Sequence, residues 1–299
     1  KNEFSILISA NPESPKLLLT AALLSYELGL LDDALSLLNQ LLETRQRNNE
    51  AYYYLGLVET SRNNAEAAIA SYAAVEPSAQ FQDSKVRASE LLKKYETPAE
   101  INEFFLNQRL RHPSAAEQLF LLEAEAVSNW PGASLETYNS GLRVFPKSFS
   151  LLYGRAMAHE EVGSLKKMEA DLRTILSVDP NHTATLNALG YTLTNNTLRF
   201  KEAEALIKRA LLMSPSDPAI LDSLGWVYFK MGEYASSEDL LRKAYSALPD
   251  PEVAAHLGEL LWTQGRKIEA IDIWKIGLSQ VPTHPIILET LRRLGAKIP

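Results

Sequence analysis

The sequence predicts an all-α protein in which one two-helix unit has been copied and stacked about eight times. Two observations predict this fold. Small or apolar anchor residues recur every 33 to 35 positions, and apolar residues three and four positions apart recur within each period. Such a period is typical of a solenoid, whose units bury apolar surface against their neighbours. The anchors are Ala22, Gly56, Ser89, Leu122, Ala156, Gly190, Gly225 and Gly258.

Residues 217–249 show the unit most clearly. Asp217 is a favourable N-cap, and Pro218 suits the first helical turn, where its missing N–H is not needed. Gly232 is expected to end the first helix and Pro249 the second. Residues at equivalent places in this and the other units are expected to be structural. Small side chains let helices approach closely, and proline stops a helix. These residues are Gly56, Ala156, Gly190, Gly225, Gly258, Ala203, Ala270, Pro180, Pro215, Pro249 and Pro282.

The pattern large–x–x–Leu–Gly–x–x–Tyr on the first helix, followed by Ala–x–x–x–large–x–x–Ala on the second, resembles the tetratricopeptide repeat. This resemblance implies a right-handed superhelical solenoid of about eight helix pairs. We expect a truncated second helix over residues 1–12, degenerate units over 13–147, regular units over 148–284, and a capping helix with a tail over 285–299. Pentatricopeptide repeats have a similar period, but they bind RNA and tend to be basic, so the net charge of −7 disfavours this alternative.

Composition excludes several classes of function. The net charge of −7 and the pI near 5.4 disfavour nucleic acid, whose binders need a basic surface. No apolar run approaches the length of a membrane span. The chain has no cysteine, which excludes disulfides and thiolate metal sites. Phe4, Leu7 and Pro12 suggest that the chain opens in mid-repeat, so we expect any lipid anchor to precede Lys1.

No motif indicates catalysis. The segment from Ser164 to Lys167 matches a serine–x–x–lysine pattern, but its companion motifs are missing and a helix cap after Gly163 explains it better. The five histidines do not form the two-histidine helical pattern of a zinc site. We therefore expect no enzymatic activity, no cofactor and no metal site.

The resemblance also implies a binding groove lined by first-helix residues. Mapped onto this sequence, the groove residues are Tyr153, Met157, Glu160, Asn187, Tyr191, Asp222, Trp226, Phe229, Lys230, Glu259 and Trp262. Large apolar side chains among them suggest anchors for an extended peptide or a partner helix. The alternative is that Trp226 and Phe229 cover a neighbouring helix. Because these positions and their neighbours are rich in acids, we expect a neutral or basic ligand.

Three stretches narrow the resemblance: residues 187–193, 217–228 and 248–262. They are similar to the carboxy-terminal half of proteobacterial outer-membrane lipoproteins built of these repeats, a group that includes the partner of the periplasmic carboxyl-terminal processing protease. The resemblance implies a periplasmic, outer-membrane-associated adaptor that binds this protease and delivers protein substrates such as peptidoglycan cross-link hydrolases. Two alternatives stay open: a scaffold for pilus or outer-membrane protein assembly, and a regulatory arm of a larger enzyme.

Overall fold

The computed structural model describes residue 11 and residues 14–130 and 132–298. These residues form seventeen α-helices, one short 3₁₀ turn and no strand, which confirms the predicted all-helical fold. They divide into two compact units, Lys1–Met168 and Glu169–Pro299. The half-repeat predicted over residues 1–12 lies outside the described residues, apart from residue 11.

The first unit contains nine complete helices and the start of α10. In chain order they are α1 (Pro15–Glu27), α2 (Leu31–Glu43), α3 (Asn48–Ser61), α4 (Ala65–Ala73), α5 (Phe81–Tyr95), α6 (Pro98–Arg111), α7 (Ala116–Ala126), α8 (Ala133–Val144) and α9 (Phe149–Glu161), followed by α10 (Leu165–Val178).

The second unit continues with three helix pairs and a last single helix. They are α11 (Thr183–Asn196) with α12 (Phe200–Met213), α13 (Pro218–Lys230) with α14 (Tyr234–Ala247), α15 (Pro251–Thr263) with α16 (Lys267–Gln280), and α17 (Pro285–Leu294). The two helices of each pair pack closely, and α12 and α14 also pack against the first helix of the following pair. The last helix, α17, packs on α15 and α16, as expected of a capping helix.

Local sequence sets the helix ends as predicted. The Asp217 carboxylate accepts a hydrogen bond from the backbone N–H of Ala219 at 2.9 Å and caps α13. Gly232 has a φ of +79° directly after that helix, a conformation that glycine adopts without a Cβ clash. Each of four prolines lies two residues beyond the end of a second helix: Pro180, Pro215, Pro249 and Pro282.

Small residues are needed where the helices of a pair approach most closely. A Cβ atom on Gly258 would lie 2.2 Å from Nε1 of Trp274, a fully buried side chain of α16. A Cβ on Gly225 would lie 2.8 Å from Leu241 of α14. The predicted structural alanines Ala156, Ala203 and Ala270 are likewise completely buried.

Two ion networks of the same pattern link consecutive second helices in the second unit. Glu169 and Arg173 of α10 pair with Arg199 and Glu202 at the start of α12. The equivalent residues of α14 and α16 pair in the same way: Glu238, Arg242, Arg266 and Glu269. Each network joins four charges that balance, which makes it worth more than isolated surface pairs.

The third predicted unit departs from the regular pattern. Helix α5 packs on α4 and α7, and α6 packs on α7; α5 and α6 share an apolar cluster but approach each other less closely than the helices of a regular pair. Ile101 and Gln108 occupy the positions that Ala203 and Ala210 hold in a regular second helix. Because both side chains are larger, α6 cannot approach its partner closely, which explains the weak repeat signal of this segment.

A buried lysine donates hydrogen bonds to the carboxyl end of α4, next to this irregular unit. Lys85 is 1% exposed, and its ammonium group donates to the carbonyls of Tyr72, Ala73 and Val75 at 2.8, 3.1 and 3.1 Å. These carbonyls lie at and just beyond the end of α4, where helical partners run out, and of the three only the Tyr72 carbonyl also accepts a backbone N–H, that of Val75 at 3.4 Å. Burial lowers the pKa of Lys85 to about 8, with Glu76 opposing the shift.

Gly258→Ala should destabilise the protein by about 1–3 kcal/mol, because the added methyl overlaps an indole that has no room to move. The measurement is the free energy of urea unfolding followed by circular dichroism. Ser246→Ala, an exposed change on α14, is the control and should leave stability within about 0.5 kcal/mol of the parent. An equal effect of the two substitutions would contradict the close helix approach.

Lys85→Met should cost about 1–3 kcal/mol, because it removes the donor of the Ala73 and Val75 carbonyls at the end of α4. Lys93→Met is the matched control on α5, since Lys93 makes a surface ion pair with Glu125. We expect its effect to stay below about 1 kcal/mol. Urea unfolding of both variants measures the difference, and similar losses would argue against the capping role of Lys85.

Candidate protein-binding surface

The first helices of the second unit bring most of the predicted groove residues together. Helices α11, α13 and α15 pack side by side. We call the surface they share the first-helix wall. It comprises Asn187 and Tyr191 of α11, Asp222, Trp226, Phe229 and Lys230 of α13, and Glu252, His256, Glu259 and Trp262 of α15.

Trp226 is a packed residue of this wall rather than an exposed anchor. Its side chain is 5% exposed and stacks on His256 with a centroid distance of 4.1 Å and on Phe229 at 4.9 Å. Its indole N–H donates to Oδ1 of Asn195 at 2.8 Å. The expectation of an exposed tryptophan is therefore wrong: Trp226 covers the neighbouring helix α15 and fixes its position relative to α13.

Asp222 and His256 form a buried ion pair behind Trp226. Nδ1 of His256 lies 2.9 and 3.0 Å from the two carboxylate oxygens of Asp222, and both residues are less than 5% exposed. Burial opposes the charged imidazole, but the attraction and hydrogen bond of Asp222 outweigh it and raise the pKa of His256. Glu252 and Glu259 act in the same direction.

The other wall acids also have internal partners. Glu252 accepts a hydrogen bond from the Tyr191 hydroxyl at 2.5 Å. Glu259, which is 4% exposed, pairs with Arg293 of α17 at 2.5 Å. Asp222 and Glu259 thus have cationic partners within the fold, and Glu252 has a hydrogen-bond donor, so fewer carboxylates of this wall are available to a basic ligand than the composition suggests.

Two exposed lysines, one on the wall and one beside it, lie over aromatic rings. The Lys230 ammonium lies 4.5 Å from the centroid of the Trp226 ring, and the Lys267 ammonium lies 4.9 Å from that of Trp262. Neither lysine is within ion-pair distance of a carboxylate among the described residues. Partial burial lowers the pKa of Lys230; Glu259 opposes this shift and Arg293 adds to it.

The remaining predicted residues lie on another helix or make fewer contacts within the wall. Tyr153, Met157 and Glu160 belong to α9 of the first unit and are half-buried. Burial, followed by the charge of Glu160, raises the pKa of Tyr153. Within the second unit, Oδ1 of Asn187 is buried without a donor among the described residues. Trp262 is half-buried against Trp274.

Sequence reasoning missed two residues that organise the wall: His256 and Arg293. The signal that could have found both is the repeat period itself. Asp222 and His256 are 34 residues apart, as are Glu259 and Arg293. Residues one period apart occupy equivalent positions in adjacent units, so opposite charges at that spacing predict a contact between units.

The described residues contain no group of three or more histidines, aspartates or glutamates placed to hold a metal ion. Among the same residues, no helix has the length and apolar character that crossing a membrane requires.

Comparison with known proteins agrees with this architecture. The tetratricopeptide repeat family matches residues 19–83, 196–250 and 223–276. A TPR repeat-containing protein of Pseudomonas aeruginosa is 37% identical over 252 residues, which cover 83% of this chain and 43% of that protein. Tetratricopeptide repeat protein 8 of Caenorhabditis elegans is 27% identical over 61% of this chain and 37% of its own length. The chain thus spans less than half the length of these curated relatives.

Solved structures show the same fold. A tetratricopeptide repeat protein from Parabacteroides merdae aligns over 83% of this chain and 99% of its own with a TM-score of 0.59 at 17% identity. A TPR protein of Thermus thermophilus covers 60% of this chain and 97% of its own with a TM-score of 0.53 at 22% identity. Together with the family matches, they support a protein built of tetratricopeptide repeats. Such repeats indicate a protein–protein interaction scaffold, and no catalytic family is indicated.

The Asp222–His256 pair predicts a specific pH dependence. The pKa of His256 is raised in the folded chain above its ordinary value of 6.5. The ion pair with Asp222 therefore stabilises the fold fully at pH values below 6.5. The contribution is lost as the pH rises through the folded pKa. In Asp222→Asn the attraction of Asp222 is absent, and we expect burial to outweigh the remaining attraction of Glu252 and Glu259 and lower the pKa of His256, so stability is lost as the pH falls.

Two measurements check this reversal: the free energy of urea unfolding at several pH values, and an NMR titration of the His256 ring. Asp272→Asn, which removes an exposed carboxylate on α16, is the control and should keep the parent's trend. A trend that is unchanged in Asp222→Asn would show that the ion pair does not set the pKa of His256.

Proposed function

We propose that this protein is a periplasmic scaffold that binds a carboxyl-terminal processing protease and presents protein substrates to it. The observation that carries the proposal is that the segments with the family resemblance are also the segments that form the first-helix wall. The three stretches that resemble the protease-binding lipoproteins, residues 187–193, 217–228 and 248–262, supply helices α11, α13 and α15. They are therefore the segments that build the first-helix wall.

The wall has the physical properties of a docking surface. Its buried layer of ion pair, stacked rings and hydrogen bonds fixes the backbone of three helices, so little ordering is needed when a partner binds. Above that layer, Phe229 and Trp262 are half-buried and offer aromatic surface, which is enriched in protein interfaces. Such a rigid wall can hold a partner without changing shape.

A scaffold contributes to proteolysis by proximity. Holding protease and substrate on one chain converts their encounter into an intramolecular event with a high effective concentration. We propose that the scaffold acts at the outer membrane through a lipid anchor that is not part of this sequence. Peptidoglycan cross-link hydrolases are the proposed substrates, in keeping with the resemblance stated above.

The test is capture of a partner by the purified chain from a proteobacterial envelope extract, followed by titration with the purified partner. We expect mass spectrometry to identify a carboxyl-terminal processing protease. Combined Phe229→Ala and Trp262→Ala should weaken protease binding about tenfold or more, as the loss of interface aromatics commonly does. Circular dichroism would verify that helical content is retained.

Tyr95→Ala is the matched control, since it removes an aromatic side chain that is 51% exposed in the first unit. We expect it to leave the affinity for the protease unchanged. Capture of pilus or outer-membrane assembly proteins without the protease would refute the proposal in favour of the assembly alternative. Binding of the protease that is insensitive to the double substitution would move its site away from the wall.

A further inference from the structure

The turn between α11 and α12 differs from the two equivalent turns that follow it. Those turns contain Gly232 and Gly265, both with positive φ, whereas this turn has no glycine. Thr197 shapes it instead: its hydroxyl donates to the Leu193 carbonyl at 2.6 Å and accepts from the Arg199 N–H at 3.0 Å. As a result Leu198 projects from the surface and is 88% exposed.

Leu198 forms one side of a shallow pocket of about 520 Å³, which we call the turn pocket. Its apolar lining is Leu198, Phe200 and Met231, and its charged lining includes Lys201 and Lys230. The pocket thus joins the α11–α12 turn to the last residue of α13, next to Trp226 of the first-helix wall. It combines exposed apolar surface with ammonium groups at one place.

The charges around the turn pocket do not balance. Arg199 and Glu202, which also line it, are engaged in the four-membered ion network with α10. Lys201 shares the single carboxylate of Glu204 with Lys208, at 3.1 and 2.7 Å. Lys230 has no carboxylate within ion-pair distance among the described residues. Glu233, the nearby acid in the next turn, is not part of the lining. The pocket therefore carries a surplus of positive charge.

Lys230 has an internal contact that leaves its hydrogen-bond donors available to a partner. Its ammonium lies over the Trp226 ring, and that ring is held by stacking on His256 and by the hydrogen bond to Asn195. A cation over an aromatic face is attracted to it but keeps its hydrogen-bond donors free. Lys230 can therefore donate to a carboxylate without giving up an existing ion pair.

We propose that the turn pocket binds an acidic internal segment of a partner protein, in which an aspartate or glutamate pairs with Lys230 and an adjacent large apolar side chain packs on Leu198, Phe200 and Met231. The inference rests on the proposed scaffold role only in requiring a protein as the occupant, and not on the identity of the protease. The opposite charges and the apolar contact together define the specificity.

The experiment selects peptides that bind the purified full chain. Random peptides are displayed at an internal position of a carrier protein, so that no free carboxyl terminus is offered, and selected on the parent chain against Lys230→Met. We expect the enriched peptides to contain an acidic residue beside a large apolar one. Synthetic, end-blocked forms of these peptides should bind the parent, with an affinity that falls as salt concentration rises.

Matched variants complete the design. Lys230→Met and Leu198→Ser should each lower the affinity for the selected peptides about tenfold or more, whereas Lys243→Met, an exposed lysine paired with Asp239 on α14, should not change it. Both pocket residues are exposed, so the variants should fold, and circular dichroism verifies this. Replacing the acidic residue of the peptide by its amide should lower the affinity to the same degree.

Several outcomes would overturn the inference: no enrichment over the Lys230→Met chain, enriched peptides without acidic residues, or equal binding to the parent and Leu198→Ser. Binding that appears only when a peptide has a free terminal carboxylate would also overturn it. The group that pairs with Lys230 would then be a carboxyl terminus and not an internal aspartate or glutamate. The result is separate from that of the protease capture, since selected peptides can bind the pocket whether or not the protease is the partner.

Discussion

Each unit of this chain buries its apolar surface only against adjacent units, so side chains one repeat period apart must complement one another. This constraint applies throughout the second compact unit, Glu169–Pro299. It places Asp222 against His256 between pairs and Glu259 against Arg293 at the capping helix, while Gly258 admits Trp274 within a pair. Because the contacts are local in space and regular in sequence, each pair depends on its neighbours rather than on one central core.

The same constraint determines which charges are available to a partner. The carboxylates of Asp222 and Glu259 on the first-helix wall pair with His256 and Arg293 of the helix that packs next to them, which lowers the cost of burying them. The ammonium groups of Lys230 and Lys267 lie over aromatic rings instead, so they keep their donors. The accessible surface of the wall is therefore less acidic than its composition suggests, and it presents the ammonium group of Lys230.

Departures from the repeat pattern have local causes. Larger side chains at Ile101 and Gln108 keep α6 farther from α5 than in a regular pair, and Lys85 supplies a donor to carbonyls at the end of α4. A turn without glycine exposes Leu198 and opens the pocket beside Lys230. The first departure weakens the repeat signal in the sequence, and the last creates the surface to which we assign a ligand chemistry.

The sequence by itself determined the helix pairs, their caps and stops, and the small residues at close contacts, because these depend on neighbours a few positions or one period away. It also determined which helices carry the wall. Only the tertiary structure decided that Trp226, Asp222 and Glu259 are buried and that Lys230 is accessible. The reason is physical: a side chain's exposure depends on what the adjacent helix places against it, and His256, Asn195 and Arg293 fill that space.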